Sequence, residues 1–170
     1  SFPTRRSSDL LAIAQANQVL VGYFIGEEKN EEVYKQTFKT QGLAVAVSLI
    51  LSIVAYFGSD LLFGIFTNDP AILSLGKSLL LVNTALEIGR ASNLVLTNAL
   101  KAAGDVNYPF IFGIVGMWLI CIPVAYILGI HFNLGLVGIW IAFAIDECFR
   151  GLIFTFRFRG KKWTNKSFIS

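Results

Sequence analysis

Charged residues are scarce in this sequence. Only 15% of its 170 residues are Asp, Glu, Lys or Arg, whereas a soluble globular domain carries roughly a quarter. Hydrophobic residues make up 55%, and the mean hydropathy is +0.64. This composition excludes an ordinary soluble domain, and it excludes intrinsic disorder, which needs low hydrophobicity and high net charge. It therefore predicts an integral membrane protein.

Cysteine and histidine are also rare. The sequence has two cysteines, Cys121 and Cys148, and one histidine, His131. Both cysteines lie within apolar runs and lack the spacing of a disulfide framework or a zinc site. We therefore predict no metal site, and we expect the two cysteines to pack as small apolar side chains.

Long apolar runs dominate what remains. Their lengths suit transmembrane helices, which need about 20 apolar residues, and they lack the alternation of a membrane β-barrel. The predicted fold class is an all-α membrane protein, a polytopic helical bundle with about four full transmembrane helices and one partial helix. The predicted spans are residues 11–25, 42–66, 71–100, 108–130 and 134–156.

The first ten residues read SFPTRRSSDL, which matches one translated frame of a widely used sequencing adapter. We interpret residues 1–10 as an artefact; the alternative is a short polar N-terminal arm. Residue 11 is then expected to be an interior position of a longer protein. Residues 11–158 are predicted to form a partial transmembrane bundle, and residues 159–170 a basic tail.

Lysine and arginine concentrate on one side of the predicted topology. They occur in the charged segment 26–41, in the turn that starts at Lys101 and in the tail 159–170, but not in the links 67–70 and 131–133. Because basic loops stay on the cytoplasmic side, we predict a multi-pass protein of the plasma membrane with a cytoplasmic C-terminus. The tail is interpreted as a topology anchor with Trp163 at the interface, and not as a nucleic-acid site.

One span carries an unusual set of polar side chains. Glu87 and Arg90 are three residues apart and therefore share a helix face. Two interpretations are open, because charges within a bilayer are costly and need a partner or a wet surface. The pair either locks this helix to a neighbour or lines a polar translocation cavity. The candidate cavity residues are Glu87, Arg90, Asn83, Asn93 and Thr97.

A second group of charges lies in the last span. Asp146 and Arg150 are four residues apart, with the acid first, which is the favoured order for a helical ion pair. Glu147 adds a second acid beside them. We interpret Asp146, Glu147 and Arg150 as a structural charge cluster within the membrane.

Four local motifs occur in a recognisable order. They are VGYFIGE at residues 21–27, FTNDP at 66–70, NALKAAGDV at 98–106 and LGLVGIW at 134–140. Together they resemble the multidrug and toxic compound extrusion (MATE) family of efflux transporters, over about residues 11–163. Each motif is weak alone; the specificity comes from all four together.

The resemblance implies a fold of two six-helix bundles, of which this chain forms the C-terminal part, from the end of the eighth helix to the twelfth. It implies secondary active export of cationic or amphipathic compounds in exchange for H+ or Na+ by alternating access. The implied partners are the lipid bilayer, a small drug-like molecule and the remaining N-terminal bundle, without nucleic acid and without a cofactor beyond the coupling ion. In the sodium-coupled branch, an acidic residue of the tenth helix helps to bind the cation. By register that position is Arg90 here, with Glu87 one turn earlier, which leaves the coupling ion open.

Three alternatives remain beside this prediction. A lipid-linked oligosaccharide flippase of the same superfamily should have more cationic cavity residues than Arg90 alone. A small membrane scaffold without transport activity is the second. The third is an intramembrane aspartyl protease, suggested by Gly104-Asp105. Such enzymes need Gly-x-Gly-Asp, and position 102 is alanine; we therefore predict that the protein is not an enzyme and has no catalytic residues.

Overall fold

A computed structural model describes residues 2–64, 69–161, 163 and 164. For residues 2–9 and 60–62 it describes the backbone only. The described residues form helices and connecting turns and no strand, which confirms the predicted all-α class. The helices are α1 (Phe2–Gly26), α2 (Asn30–Phe57), α3 (Ser59–Gly64), α4 (Pro70–Ala102), α5 (Asn107–Val115), α6 (Ile122–Tyr126) and α7 (Gly135–Arg159). Two π-helical segments, Gly116–Cys121 and Ile127–His131, flank α6 and make Asn107–His131 one continuous helix.

Three helices are long and apolar enough to cross a membrane among the described residues: α2, α4 and the continuous helix Asn107–His131. Helix α7 has 25 residues, but it contains five charged side chains, of which Asp146, Glu147 and Arg150 lie within its apolar part. It therefore does not qualify by composition, and its assignment as a span remains a prediction. The apolar part of α1, Leu10–Gly26, is shorter than a full span.

The charged segment 26–41 is mostly helical and not an extended loop. Only Glu27, Glu28 and Lys29 separate α1 from α2. Lys29 donates a hydrogen bond to Glu27 (2.6 Å), which holds the pKa of the Glu27 carboxyl below its usual value. Helix α2 begins with acidic residues in its first turn, where their negative charges interact favourably with the positive end of the helix dipole.

The predicted break at 67–70 lies partly outside the described residues. Asp69 is the N-cap of α4 and accepts a hydrogen bond from the backbone N–H of Ala71 (2.9 Å), and Pro70 starts the helix. An acidic N-cap followed by proline is a favoured start for a helix.

Helix α4 lies at the centre of the bundle and contacts α1, α2 and α7. One hydrophobic cluster joins Leu96 and Leu100 of α4 to Val21, Val33 and the end of α7. Trp163 belongs to this cluster, since it is 1% exposed and stacks on Phe158 with ring centroids 5.1 Å apart. The expectation that Trp163 anchors the membrane interface is therefore wrong. Its indole N–H donates to the carbonyl of Phe158 (3.0 Å), which draws the chain back over the bundle.

Candidate functional site

The contact between α4 and α7 is close because glycines face the partner helix. A Cβ on Gly89 would lie 2.6 Å from the backbone nitrogen of Cys148, and a Cβ on Gly151 would lie 3.2 Å from the carbonyl oxygen of Gly89. Small residues at such crossings let two backbones approach within a membrane. Short polar side chains can therefore reach from one helix to the other.

A chain of hydrogen bonds crosses this contact. The Asn93 amide nitrogen donates to Oε2 of Glu147 (2.7 Å), and the Thr97 hydroxyl donates to Oδ1 of Asn93 (3.1 Å). The other oxygen of Glu147 lies 3.5 Å from Arg150. The structure thus joins residues that the sequence placed in two separate groups, since Asn93 and Thr97 belonged to the predicted cavity and Glu147 to the predicted charge cluster.

Asp146 forms the deepest part of this network. It is 3% exposed, and its Oδ2 accepts a hydrogen bond from Arg150. Its Oδ1 faces the first π-helical segment, where a Cβ on Gly116 would lie only 2.5 Å away. Glycine at position 116 is what makes room for the carboxylate of Asp146.

Glu87 and Arg90 form an ion pair within α4. Arg90 donates to Oε1 of Glu87 at 3.0 Å. Glu87 is 8% exposed and borders a small cavity with Leu10, Ser48 and Leu51 from α1 and α2. The Arg90 side chain is 37% exposed. The pair therefore extends from the packed side of α4 towards its open side.

Arg90 shares that open side with two other candidates. Asn83, Arg90 and Thr97 recur every seven residues, about two helical turns, and all three are half-buried. Their line runs between the side of α4 that contacts α1 and the side that contacts α7. Glu87 and Asn93 flank this line, so the five predicted cavity residues form a polar sector of α4. On one edge of this sector Glu87 packs against α1 and α2, and on the other Asn93 is hydrogen-bonded to α7.

Sequence reasoning missed a further ion pair, between Asp105 and Arg157. Asp105 is fully buried, and its Oδ2 lies 2.8 Å from Nε of Arg157. The Arg157 guanidinium also lies 4.5 Å from the centre of the Tyr108 ring. Asp105 therefore ties the turn after α4 to the end of α7. This arrangement gives the Gly104-Asp105 sequence a structural role.

Gly104 explains how Asp105 reaches this position. Its φ is +84°, a left-handed conformation that favours glycine. The N–H of Gly104 bonds to the carbonyl of Lys101 (3.1 Å), and that of Asp105 to the carbonyl of Leu100 (2.9 Å). These two bonds are the Schellman ending of a helix. A glycine followed by an acid after a long apolar helix was the sequence signal for this motif.

A second overlooked residue is Asn17 in α1. It is 1% exposed, and neither atom of its amide has a hydrogen-bond partner among the described residues. Ser48 and Ser52 of α2 are also buried, and their hydroxyls have no hydrogen-bond partner in the described part of the chain. An asparagine within an apolar run is the signal that was available for Asn17.

Known proteins are similar to this chain over most of its length. A family model described as MatE matches residues 9–127. The uncharacterized transporter YisQ of Bacillus subtilis (strain 168) is 38% identical over 159 residues, which are 91% of this chain and 34% of that protein. The probable multidrug resistance protein NorM of Bacillus anthracis is 30% identical over 139 residues, covering 82% of this chain and 31% of the relative.

A more distant relative shows the same coverage. The probable multidrug resistance protein NorM of Thermotoga maritima is 26% identical over 158 residues, 93% of this chain and 34% of that protein. The chain thus spans about a third of the length of the curated relatives that it matches.

Proposed function

The chain belongs to the MatE family, and we propose from this premise that it forms part of a secondary active multidrug efflux antiporter. The transporter would export cationic or amphipathic compounds from the cell in exchange for H+ or Na+. The protein is a multi-pass membrane protein, and we propose that it lies in the plasma membrane with its C-terminus in the cytoplasm. The names of the NorM relatives, which are probable multidrug resistance proteins, support a role in drug export.

The observation that carries this proposal is the polar sector of α4. Asn83, Arg90 and Thr97 form a half-exposed line along a helix long enough to cross the membrane. Polar residues within a span face a bundle interior or a wet cavity because exposure to lipid is costly. We propose that this line borders the translocation pathway, together with a bundle supplied by the rest of the transporter.

The pairing of the arginines favours an antiporter over a flippase for anionic lipid-linked sugars. Arg90 is paired with Glu87, and Arg150 contacts both Asp146 and Glu147. These five charged residues therefore offer no excess positive charge to an anionic substrate. Their excess is acidic, as a site for a cationic compound or a coupling cation requires.

The experiment that tests this proposal is an efflux assay on the transporter of which this chain forms a part. It is expressed in a bacterial strain without its main drug exporters, and the retention of a fluorescent cationic dye is measured. We expect the Glu87→Gln variant to lower dye export much more than it lowers the amount of protein in the membrane.

The matched control is Glu32→Gln, because Glu32 is an exposed acid in the first turn of α2. Export in this variant should equal that of the wild type. If Glu87→Gln reduces export and membrane protein equally, Glu87 has a structural role only. If the wild-type protein is present in the membrane and exports no dye, the proposed activity is wrong for that class of substrate.

A further inference from the structure

Asp146 has a buried carboxylate, and one of its two oxygens accepts no hydrogen bond from any described residue. The residue is 3% exposed, and Arg150 binds its Oδ2. Its Oδ1 is buried and has no hydrogen-bond partner in the described part of the chain. A buried acceptor without a donor is costly, and such a group in a native structure calls for a physical explanation.

The charges around Asp146 do not balance. On α7, Asp146 and Glu147 share the single cation of Arg150. With every group ionised, this cluster therefore carries one uncompensated negative charge, which is unfavourable inside a bilayer. The binding of one proton or one cation would neutralise it.

Between the two acids of α7, Asp146 is the better site for a proton. Both oxygens of Glu147 have a partner, since Oε2 accepts a hydrogen bond from Asn93 at 2.7 Å and Oε1 lies 3.5 Å from Arg150 in an ion pair. Oδ1 of Asp146 has none among the described residues. The thiol of Cys121, from the first π-helical segment, also interacts electrostatically with Asp146. From α4, the group that reaches this network is the neutral amide of Asn93.

The space at Oδ1 favours a proton over a metal cation. A Cβ on Gly116 would lie 2.5 Å from Oδ1 and 3.4 Å from Cδ of Arg150. The π-helical backbone thus closes directly over this oxygen. Hard cations such as Mg²⁺ and Ca²⁺ require a shell of about six or more oxygen ligands, whereas a proton needs only the lone pair of Oδ1.

We propose that Asp146 is a proton-binding site of this protein. The proton binds Oδ1, the carboxyl becomes neutral, and Arg150 compensates the charge of Glu147. The site lies against the first π-helical segment, and π-helical turns are frequent at functional sites. The inference deepens the proposed function and rests on it, since it assigns a site at which this part of the antiporter takes up H+.

The test is infrared spectroscopy of the purified full-length protein in lipid nanodiscs at neutral pH. Surface carboxylates are ionised under these conditions, so the C=O stretch of a carboxylic acid reports only protonated buried groups. We expect a carboxylic acid signal that shifts to lower frequency in D2O. The signal should lose the intensity of one group in Asp146→Asn and be unchanged in Glu87→Gln, an acid that has its own arginine.

A second measurement uses the wild-type protein, so its outcome does not depend on whether the Asp146→Asn variant folds. Incorporation of ¹³C-labelled aspartate should shift the carboxylic acid band, whereas labelled glutamate should leave that component in place. Absence of the band, a shift with labelled glutamate alone, or an undiminished band in folded Asp146→Asn would overturn the inference. In the first of these cases, a water molecule between Oδ1 and the unpartnered Nε of Arg150 would be the better explanation.

The two proposals fail in different ways. The infrared signal measures proton occupancy and does not depend on transport. A protein that shows the band but exports no dye would retain the proton site and lose the proposed function. A protein that exports dye without the band would retain the function and lose this site.

Discussion

The side-chain amide of Asn93 on α4 donates a hydrogen bond to Glu147 on α7 at 2.7 Å, across a helix contact that glycine makes possible. Through this bond, Glu147 in the middle of α7 gains a hydrogen-bond donor inside the protein. Because of its charged residues, α7 does not have the composition of a membrane span. Its compatibility with a membrane therefore depends on its partner helix.

The Asn93–Glu147 bond should be measurable in a double-mutant cycle. We expect Asn93→Ala and Glu147→Ala, each of which removes one partner of the bond, to be coupled by about 0.6 kcal/mol and by no more than about 1.7 kcal/mol, the range found for hydrogen bonds between membrane helices. The measurement is the free energy of unfolding in mixed micelles with SDS. Asn98→Ala is the control, because the Asn98 amide bonds to the carbonyl of Leu94 in its own helix. Additivity of the Asn93 and Glu147 effects would contradict the bond.

Gly116 should tolerate no side chain. Its Cβ would lie 2.5 Å from Oδ1 of Asp146, so Gly116→Ala should destabilise the protein by about 1–3 kcal/mol, the usual cost of overpacking. Gly113, one turn earlier, has no atom within 4 Å of the position that a Cβ would occupy. Gly113→Ala should therefore be neutral, or stabilising by up to about 1 kcal/mol from helix propensity. Equal unfolding free energies for the two variants would refute the close contact.

The Asp105–Arg157 pair should contribute strongly to stability. Asp105→Asn leaves the half-buried Arg157 without its carboxylate, and removal of one partner from a buried pair costs about 3–5 kcal/mol. Arg159→Gln is the control, because Arg159 is exposed and lies 5.6 Å from the ring centre of Phe38. Its substitution should change the unfolding free energy by less than about 1 kcal/mol. Thermal unfolding of the detergent-solubilised protein measures both, and similar losses in the two variants would argue against a structural lock.

The Glu87–Arg90 pair should be coupled in function as well as in stability. Each single charge reversal, Glu87→Arg or Arg90→Glu, places two like charges three residues apart on one helix face. The double variant restores opposite charges, so we expect it to retain more membrane protein and more dye export than either single variant. Membrane immunoblots and dye retention measure the two effects. A double variant no better than the singles would show that the two residues act separately.

Local features of this molecule were predictable from neighbouring residues. The ion pairs Glu87–Arg90 and Asp146–Arg150 follow from spacings of three and four on a helix, and the structure contains both. The start of α4 at Pro70 follows from the acidic cap before it. These features depend on residues within one or two turns, so helical geometry suffices to predict them.

Contacts between distant residues were not predictable in the same way. Asn93 and Glu147 are separated by 54 positions, and Asp105 and Arg157 by 52. Which polar side chains meet depends on the rotation of α4 against α7 and on the close approach at Gly89. The inward position of Trp163 likewise depends on the turn after α7.

Composition and apolar runs were sufficient to establish a helical membrane protein, since transfer into lipid depends on summed hydrophobicity and length. The four motifs, taken in order, were sufficient to identify its family. The joining of the α4 and α7 polar groups into one network, and the unsatisfied oxygen of Asp146, emerged only when the helices were packed. Hydrogen bonds and buried charges depend on distances of a few ångströms between side chains far apart in the chain, and helix packing sets those distances.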